Sequence, residues 1–118
     1  MAEHMNRLNV ELSYVRALNL IANEKVIPNV VFSRVSNCLK LLFPLITAYP
    51  AIGGDDEGQL NVEWHLSTSY CLTFSAGDIS LDIFNDSVNH VNECYEIDDL
   101  SAESVFKKLI HQFQTFME

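Results

Sequence analysis

The spacing of apolar residues changes in the middle of this chain. Before the segment 49–58 they recur every three to four positions, as in a helix that buries one face, and after it they alternate, as in a strand. The chain is therefore predicted to have a helical half, residues 1–50, and a half made of strands and a last helix, residues 51–118. A length of 118 residues suits a single domain containing both halves.

Two helices are predicted in the first half. The apolar positions of the first are Leu8, Leu12, Val15, Leu18 and Ala22, with a second row, Val10, Tyr14, Ala17 and Ile21, that widens the stripe. This helix is expected to end near residues 23–25. Pro28 suits the first turn of the second helix, and Pro44 is expected to end it. The second stripe is Val31, Val35, Cys38, Leu42 and Leu45, with Arg34, Ser36, Asn37 and Lys40 on the polar side.

Three alternating segments then predict antiparallel strands with one apolar face. Their apolar positions are Leu60, Val62 and Trp64, then Tyr70, Leu72 and Phe74, then Ile79, Leu81 and Ile83. Keeping the apolar sides together places Trp64 opposite Tyr70 and Phe74 opposite Ile79. Gly77 is expected to supply the unusual dihedral of the second hairpin loop. Residues 94–97 are a candidate fourth strand at the sheet edge.

A last helix completes the predicted architecture. Ser101 is a suitable N-cap, and Glu103 favours the positive end of the helix dipole. The apolar stripe of this helix is Val105, Leu109, Phe113 and Phe116. We predict an α+β domain with two N-terminal helices, an antiparallel meander of three to four strands and a C-terminal helix packed on one sheet face. The segment 49–58, rich in glycine and acids, is expected to be an exposed loop.

Acidic charge is concentrated in the second half of the chain. The net charge is −9, and residues 1–50 carry five basic and three acidic side chains, whereas residues 51–118 carry two basic and thirteen acidic ones. This balance argues against direct binding to nucleic acid and against docking on anionic lipid. No apolar run is long enough to span a bilayer, and the N-terminus has no apolar signal region.

The cysteines and the motif search favour a protein without a cofactor. Cys38, Cys71 and Cys94 are an odd number without a Cys-x-x-Cys pair, which predicts reduced, mostly buried thiols in a cytoplasmic protein of a bacterium or phage. The sequence contains no phosphate-binding glycine loop, no nucleophile elbow and no histidine pair with metal-ligand spacing. We therefore predict no catalytic residue, no metal and no enzymatic activity.

One polar row on the predicted sheet has two interpretations. The register places Glu63, Cys71 and Asp82 side by side on the face opposite the core. They could form a metal or catalytic cluster, or a solvated polar face with an incidental thiol. The second interpretation is favoured, because flat sheet faces lack a concave site and two carboxylates raise the pKa of a thiol between them.

The acidic runs at residues 55–57 and 93–103 favour a basic protein partner, and we expect one that handles nucleic acid. The predicted partner-binding residues are Asp55, Asp56, Glu57, Asp82, Phe84, Glu96, Asp98 and Asp99. Their charge would steer the partner and block its basic groove. Trp64 is expected in the core. If the edge or outer face of the sheet binds the partner, Phe84 is the better exposed aromatic residue, because it points opposite to Ile83.

The alternative is a structural homodimer or a subunit of a larger assembly. The apolar surface of the first two helices is broad for a small sheet to cover, so these helices or a sheet edge would form the interface. Light scattering separates the two hypotheses, because an apolar dimer would be insensitive to salt.

A resemblance covers about residues 50–84. The stretch 58–64, Gly-Gln-Leu-Asn-Val-Glu-Trp, followed by the strand 70–74 and the pair Gly77-Asp78, is similar to a pattern in small orphan accessory proteins of bacteria and phages. In these an acidic, glycine-containing loop leads into a strand that ends in Glu-Trp. The resemblance implies an antitoxin, immunity protein or inhibitor and assigns no functional residue.

Overall fold

The chain forms an α+β domain with a five-stranded antiparallel sheet. A computed structural model describes residues 2–22, 25–85 and 90–116. The helices are α1 Ala2–Ile21, α2 Asn29–Leu42 and α3 Ala102–Phe116. The strands are β1 Ala51–Gly54, β2 Leu60–His65, β3 Thr68–Phe74, β4 Asp78–Asn85 and β5 His90–Glu96. They follow one another across the sheet in chain order, as a meander. None of the helices in these ranges combines the length and apolar character needed to cross a membrane.

The strand count of three to four was too low, because β1 lies in the segment predicted to be a loop. Ala51 pairs with Glu63 and Gly54 with Leu60, so β1 extends the sheet beyond β2. Gly54 allows a helix to approach this strand closely. A Cβ atom there would lie 3.0 Å from Cδ1 of Ile27 and 3.3 Å from Cγ1 of Val15. The glycine therefore serves close packing.

The predicted register of the central strands is confirmed. Trp64 pairs with Tyr70, and Phe74 pairs with Ile79. The fourth predicted strand is present as β5, which is longer than expected. The residues of β5 on the core side of the sheet are Val91, Glu93 and Tyr95. The carboxylate of Glu93 interrupts this apolar row, which is why the strand was hard to recognise from its alternation.

The expectation for Gly77 was wrong, because the glycine with a left-handed backbone is Gly58, at φ 78°. Gly58 closes the β1–β2 loop against the carbonyl of Val26, which lies 3.2 Å from the position of an added Cβ. The β3–β4 connection is closed by Ser75, whose N–H donates to the carbonyl of Asp78 at 3.0 Å and whose hydroxyl donates to its carboxylate at 2.8 Å. This turn needs no residue with positive φ.

An aromatic cluster joins α3 to the inner face of the sheet. The ring of Phe113 stacks on Tyr70 with centroids 4.6 Å apart and meets Trp64 edge-on at 5.5 Å. Nε1 of Trp64 donates to the carbonyl of Ala48 at 2.8 Å, so its polar atom is satisfied although the residue is only 1% exposed. The prediction that Trp64 belongs to the core is confirmed.

The first predicted helical stripe was correct at its N-terminal end and wrong at its C-terminal end. Leu8, Leu12 and Val15 are buried, whereas Leu18 and Ala22 are exposed. The last buried position is taken by Asn19, whose amide donates to the carbonyl of Lys25 at 3.0 Å and accepts from the N–H of Ile27 at 2.9 Å. This side chain ties the α1–α2 connection to the helix.

The two proline predictions differ in outcome. Pro28 precedes α2 in an extended conformation, with φ −61° and ψ 148°, so it is the N-cap residue and not part of the first turn. Pro44 follows the end of α2 at Leu42, as predicted. Part of the predicted end of α1, residues 23–24, lies outside the described residues, and α1 itself ends at Ile21.

Candidate partner-binding surface

The meander brings residues 55–57 and 96–99, taken from the two acidic runs, to the same end of the sheet. In an antiparallel meander the β1–β2 loop, the β3–β4 loop and the chain after β5 leave the sheet at one end. We call the carboxylates at this end the acidic rim; it consists of Asp55, Asp56, Glu57, Asp78, Glu96, Asp98 and Asp99. Neighbouring strands lie about 4.8 Å apart, so a rim across five strands is about 20 Å long.

Asp78 was missed by the sequence interpretation, although the register contained a signal for it. It begins β4 directly opposite Glu96 on β5, and both side chains lie on the sheet face away from the helices. Like charges directly opposite each other destabilise a sheet. A local conflict of this kind is expected at functional positions more often than elsewhere.

Asp55 organises the loop that displays its two acidic neighbours. Its Oδ1 accepts the N–H of Glu57 at 2.9 Å and the N–H of Gln59 at 3.0 Å, which is an Asx turn. Asp56 and Glu57 are exposed, whereas Asp55 is half-buried. Asp55 therefore holds the loop, and the next two carboxylates face solvent.

Asp98 has a similar role in the turn before α3. Ser101 directly precedes the helix, as predicted, and its carbonyl accepts the N–H of Val105 at 2.9 Å. The carboxylate of Asp98 accepts the N–H groups of Leu100 at 2.9 Å and Ser101 at 2.8 Å, while the Ser101 hydroxyl accepts the N–H of Asp98 at 2.9 Å. Asp98 and Ser101 thus close this turn with reciprocal hydrogen bonds, in the manner of a capping box. Hydrogen bonds from Ser101, and a smaller effect of Arg34, lower the pKa of the Asp98 carboxyl, which keeps it ionised.

Arg34 lies beneath the rim, although its position in α2 predicted an exposed polar side. The residue is only 7% exposed. Nη1 donates to the carbonyl of Ala76 at 2.5 Å, and Nη2 lies 3.6 Å from the carboxylate of Asp99, whose own side chain is almost fully exposed. The guanidinium therefore anchors the β3–β4 loop to α2 and partly balances one carboxylate of the rim.

Replacing Arg34 tests this anchor. We expect Arg34→Met to lower the free energy of unfolding by about 1.5–3 kcal/mol, because it removes a charge-assisted hydrogen bond while keeping the apolar stem. Urea denaturation followed by circular dichroism measures the change. Lys40→Met on the same helix is the control; Lys40 is exposed, and its substitution should change stability by less than about 0.5 kcal/mol. Equal effects of the two substitutions would contradict the anchor.

The structure places Asp82 and Phe84 away from the rim. Asp82 pairs with Cys71 in the middle of the outer sheet face, four residues along β4 from Asp78, which is about 13 Å. Phe84 is half-exposed near the opposite end of β4 and meets the ring of His90 edge-on at 6.2 Å. Their predicted part in partner binding stays a prediction.

The predicted row of Glu63, Cys71 and Asp82 is present, and its groups interact with one another. Oε1 of Glu63 lies 3.6 Å from Sγ of Cys71. Burial, followed by the negative charge of Glu63, raises the pKa of Cys71 to about 11, so the thiol is protonated at neutral pH. Within the described ranges, no group of three or more His, Cys, Asp or Glu residues could hold a metal ion.

A groove lies between β5 and α3. Its volume is about 740 Å³, and its walls combine Glu93 and Tyr95 from β5 with Lys107, Lys108 and Glu103 from α3. Glu103 and Lys107 pair at 3.5 Å, and Glu93 accepts the amide of Gln112 at 3.3 Å. The groove is open and of mixed charge, and it continues toward the rim through Leu100, which is 97% exposed.

Comparisons with protein-family models, with curated proteins and with solved structures found no match to this chain. The resemblance of residues 50–84 to small accessory proteins therefore stays a prediction.

Proposed function

We propose that this protein is a non-enzymatic protein-binding module of the inhibitor, antitoxin or immunity type, which presents the acidic rim to a basic protein that handles nucleic acid. The observation that supports this function is the collection of seven of the chain's sixteen acidic residues, from three separate segments, at one end of the sheet. Asp78 and Glu96 lie there directly opposite each other. Repulsion between such carboxylates opposes folding, and a basic partner would relieve it.

The rim is suited to imitate a phosphate backbone. Asp56 and Glu57 are exposed, and the Asp99 side chain is 96% exposed, so their oxygens can accept paired hydrogen bonds from arginine. Its negative field would attract a basic groove over a distance of about 10 Å at moderate salt. Once seated, the rim would occupy the positions that nucleic-acid phosphates would otherwise take.

The cysteines are compatible with the proposed cytoplasmic location. All three are unpaired, as a reducing compartment would keep them. The prediction that they are mostly buried was only partly correct, because Cys38 is buried, Cys71 half-buried and Cys94 exposed.

Capture from a lysate of the protein's own host tests the proposed function. The protein is immobilised, washed at low and then at high salt, and the retained proteins are identified by mass spectrometry. We expect a basic, nucleic-acid-handling protein that is lost at high salt, because ion pairs at an exposed rim are screened. Retention of nothing except further copies of the chain would contradict this function.

A further inference from the structure

The outward face of α1 is apolar, which is unusual for a helix at a protein surface. Val10 is 70% exposed, Tyr14 65% and Ile21 80%, and the small residue Ala17 lies in line with them. The opposite face of the helix is also apolar and packs into the core. By contrast, α2 and α3 each bury one apolar stripe. α1 thus has a second apolar row, separated from the buried one by polar flanks, and no element within the described residues covers it.

These four outward residues form a seam with the spacing of a coiled coil. The steps from Val10 to Tyr14, Ala17 and Ile21 are four, three and four residues, the alternation that separates the a and d positions of a coiled-coil heptad. We call these four residues the α1 seam. Over eleven residues it is about 16 Å long.

The charged side chains beside the seam are turned away from it. The guanidinium of Arg7 lies 3.9 Å from the ring centroid of Tyr49 and pairs with Glu11 at 3.2 Å. On the other side of the helix, the guanidinium of Arg16 lies 4.1 Å from the ring centroid of Phe32. The helix thus directs these charges to its flanks and leaves an uncharged line between them.

We propose that the α1 seam binds a second copy of this chain, with the two α1 helices antiparallel and the two-fold axis between residues 15 and 16. Val10 then faces the partner subunit's Ile21, and Tyr14 faces the partner subunit's Ala17. In the middle of the seam, the large side chain of Tyr14 on each copy packs against the small Ala17 of the other copy. The seam is therefore complementary to itself, as a two-fold interface requires.

Charge opposes a second copy only weakly at this face. Residues 1–50 carry a net charge of +2, against −11 for residues 51–118, so a two-fold contact between the N-terminal halves meets far less repulsion than one between the C-terminal halves. The C-terminal end of α1 lies at the rim end of the sheet, where Lys25 packs beside Gly58. The N-terminal end lies at the other end, where His4 contacts the carbonyl of Thr47 at 2.7 Å. An antiparallel pair would therefore carry its two acidic rims at opposite ends, separated from each other.

Sedimentation velocity tests the dimer. The interface is small, so we expect a dissociation constant on the order of 10 µM, measurable between about 1 and about 500 µM. The dimer fraction should be the same at about 0.1 and about 1 M salt, because apolar contacts are little screened. Tyr14→Glu and Ile21→Glu should both be monomeric while keeping the far-ultraviolet spectrum of the wild type and, at about 1 µM, where the wild type is also monomeric, its melting temperature.

The matched control is Leu100→Glu, which adds the same charge at an exposed leucine outside the seam and should leave the dimer intact. A wild-type chain that is monomeric at the highest concentration would overturn the proposal, as would a dimer that survives Ile21→Glu. Neither result depends on the acidic rim, because the seam residues lie outside it.

Cross-linking tests the orientation. In a Cys94→Ser background, Val10→Cys and Ile21→Cys are each oxidised alone and then as a mixture. The antiparallel arrangement predicts a disulfide only in the mixture, because two copies of residue 21 would be about 16 Å apart, beyond the reach of a disulfide. A covalent dimer of Ile21→Cys alone would overturn the antiparallel arrangement.

Discussion

The triple variant Asp55→Asn, Asp56→Asn, Glu57→Gln is expected to associate with the basic partner about tenfold more slowly than the wild type at low ionic strength. It removes three of the seven rim carboxylates, and with them much of the field that steers the encounter. The dependence of the association rate on salt should flatten for the same reason. Stopped-flow or surface-plasmon kinetics with the protein captured from the host lysate measures both effects.

A second variant with the same net charge separates the effect of where the carboxylates lie from the effect of how many there are. Asn at position 55 keeps the oxygen that accepts the N–H groups of Glu57 and Gln59, so the loop should keep its shape. The control variant Glu3→Gln, Glu11→Gln, Glu63→Gln raises the net charge by the same amount outside the rim and outside the other predicted partner-binding residues. It should associate within about twofold of the wild-type rate. A control that slows association as much as the rim variant would contradict the proposed site.

Phe113→Ala is expected to lower the free energy of unfolding by about 3–5 kcal/mol, which is a large part of the stability of a domain of this size. Phe113 is fully buried and is the ring through which α3 contacts both Trp64 and Tyr70. Its removal leaves a cavity between helix and sheet that rigid strands cannot fill. Urea denaturation measures the change from the shift of the midpoint.

The matched control for this prediction is Phe84→Ala on the outer face of the sheet. Phe84 is 48% exposed, and its main ring contact is His90, so its loss should cost less than about 1 kcal/mol. If the two substitutions destabilised the protein equally, α3 would not be packed on the sheet as described.

The central part of the fold was predictable because its strands obey a simple rule. Each of β2, β3 and β4 places large apolar residues on every second position, and only one register keeps them on the same face, so Trp64 had to oppose Tyr70. The edge strands lack this regularity. β1 has four residues, of which two are glycine, and β5 interrupts its inward row with Glu93. Their pairing depends on neighbours far along the chain.

The least predictable positions were polar residues that are buried and apolar residues that are exposed. Asn19 and Arg34 are polar residues that the periodicity could not place in the interior, yet both are buried because they hydrogen-bond to backbone groups of the next segment or of a distant loop. In the same way, Leu18 and the outward row of α1 are apolar but exposed. A periodic pattern counts apolar positions on a helix, whereas burial depends on whether another element covers them.

The candidate site was predictable in its composition and not in its arrangement. The acidic runs at residues 55–57 and 96–99 are evident in the sequence, but their meeting at one end depends on the complete strand order, including β1. The same order adds Asp78 to the rim and places Asp82 in the middle of the outer sheet face.

The most direct test of the central claim is a side-by-side capture from host lysate by three baits: the wild type, the rim variant and the control variant, with the two variants at equal net charge. If the acidic rim is the binding surface, the wild type and the control variant will retain the same basic protein at low salt, and the rim variant will lose it. Equal retention by both variants, or equal loss from both, would contradict the claim that the acidic rim binds the partner.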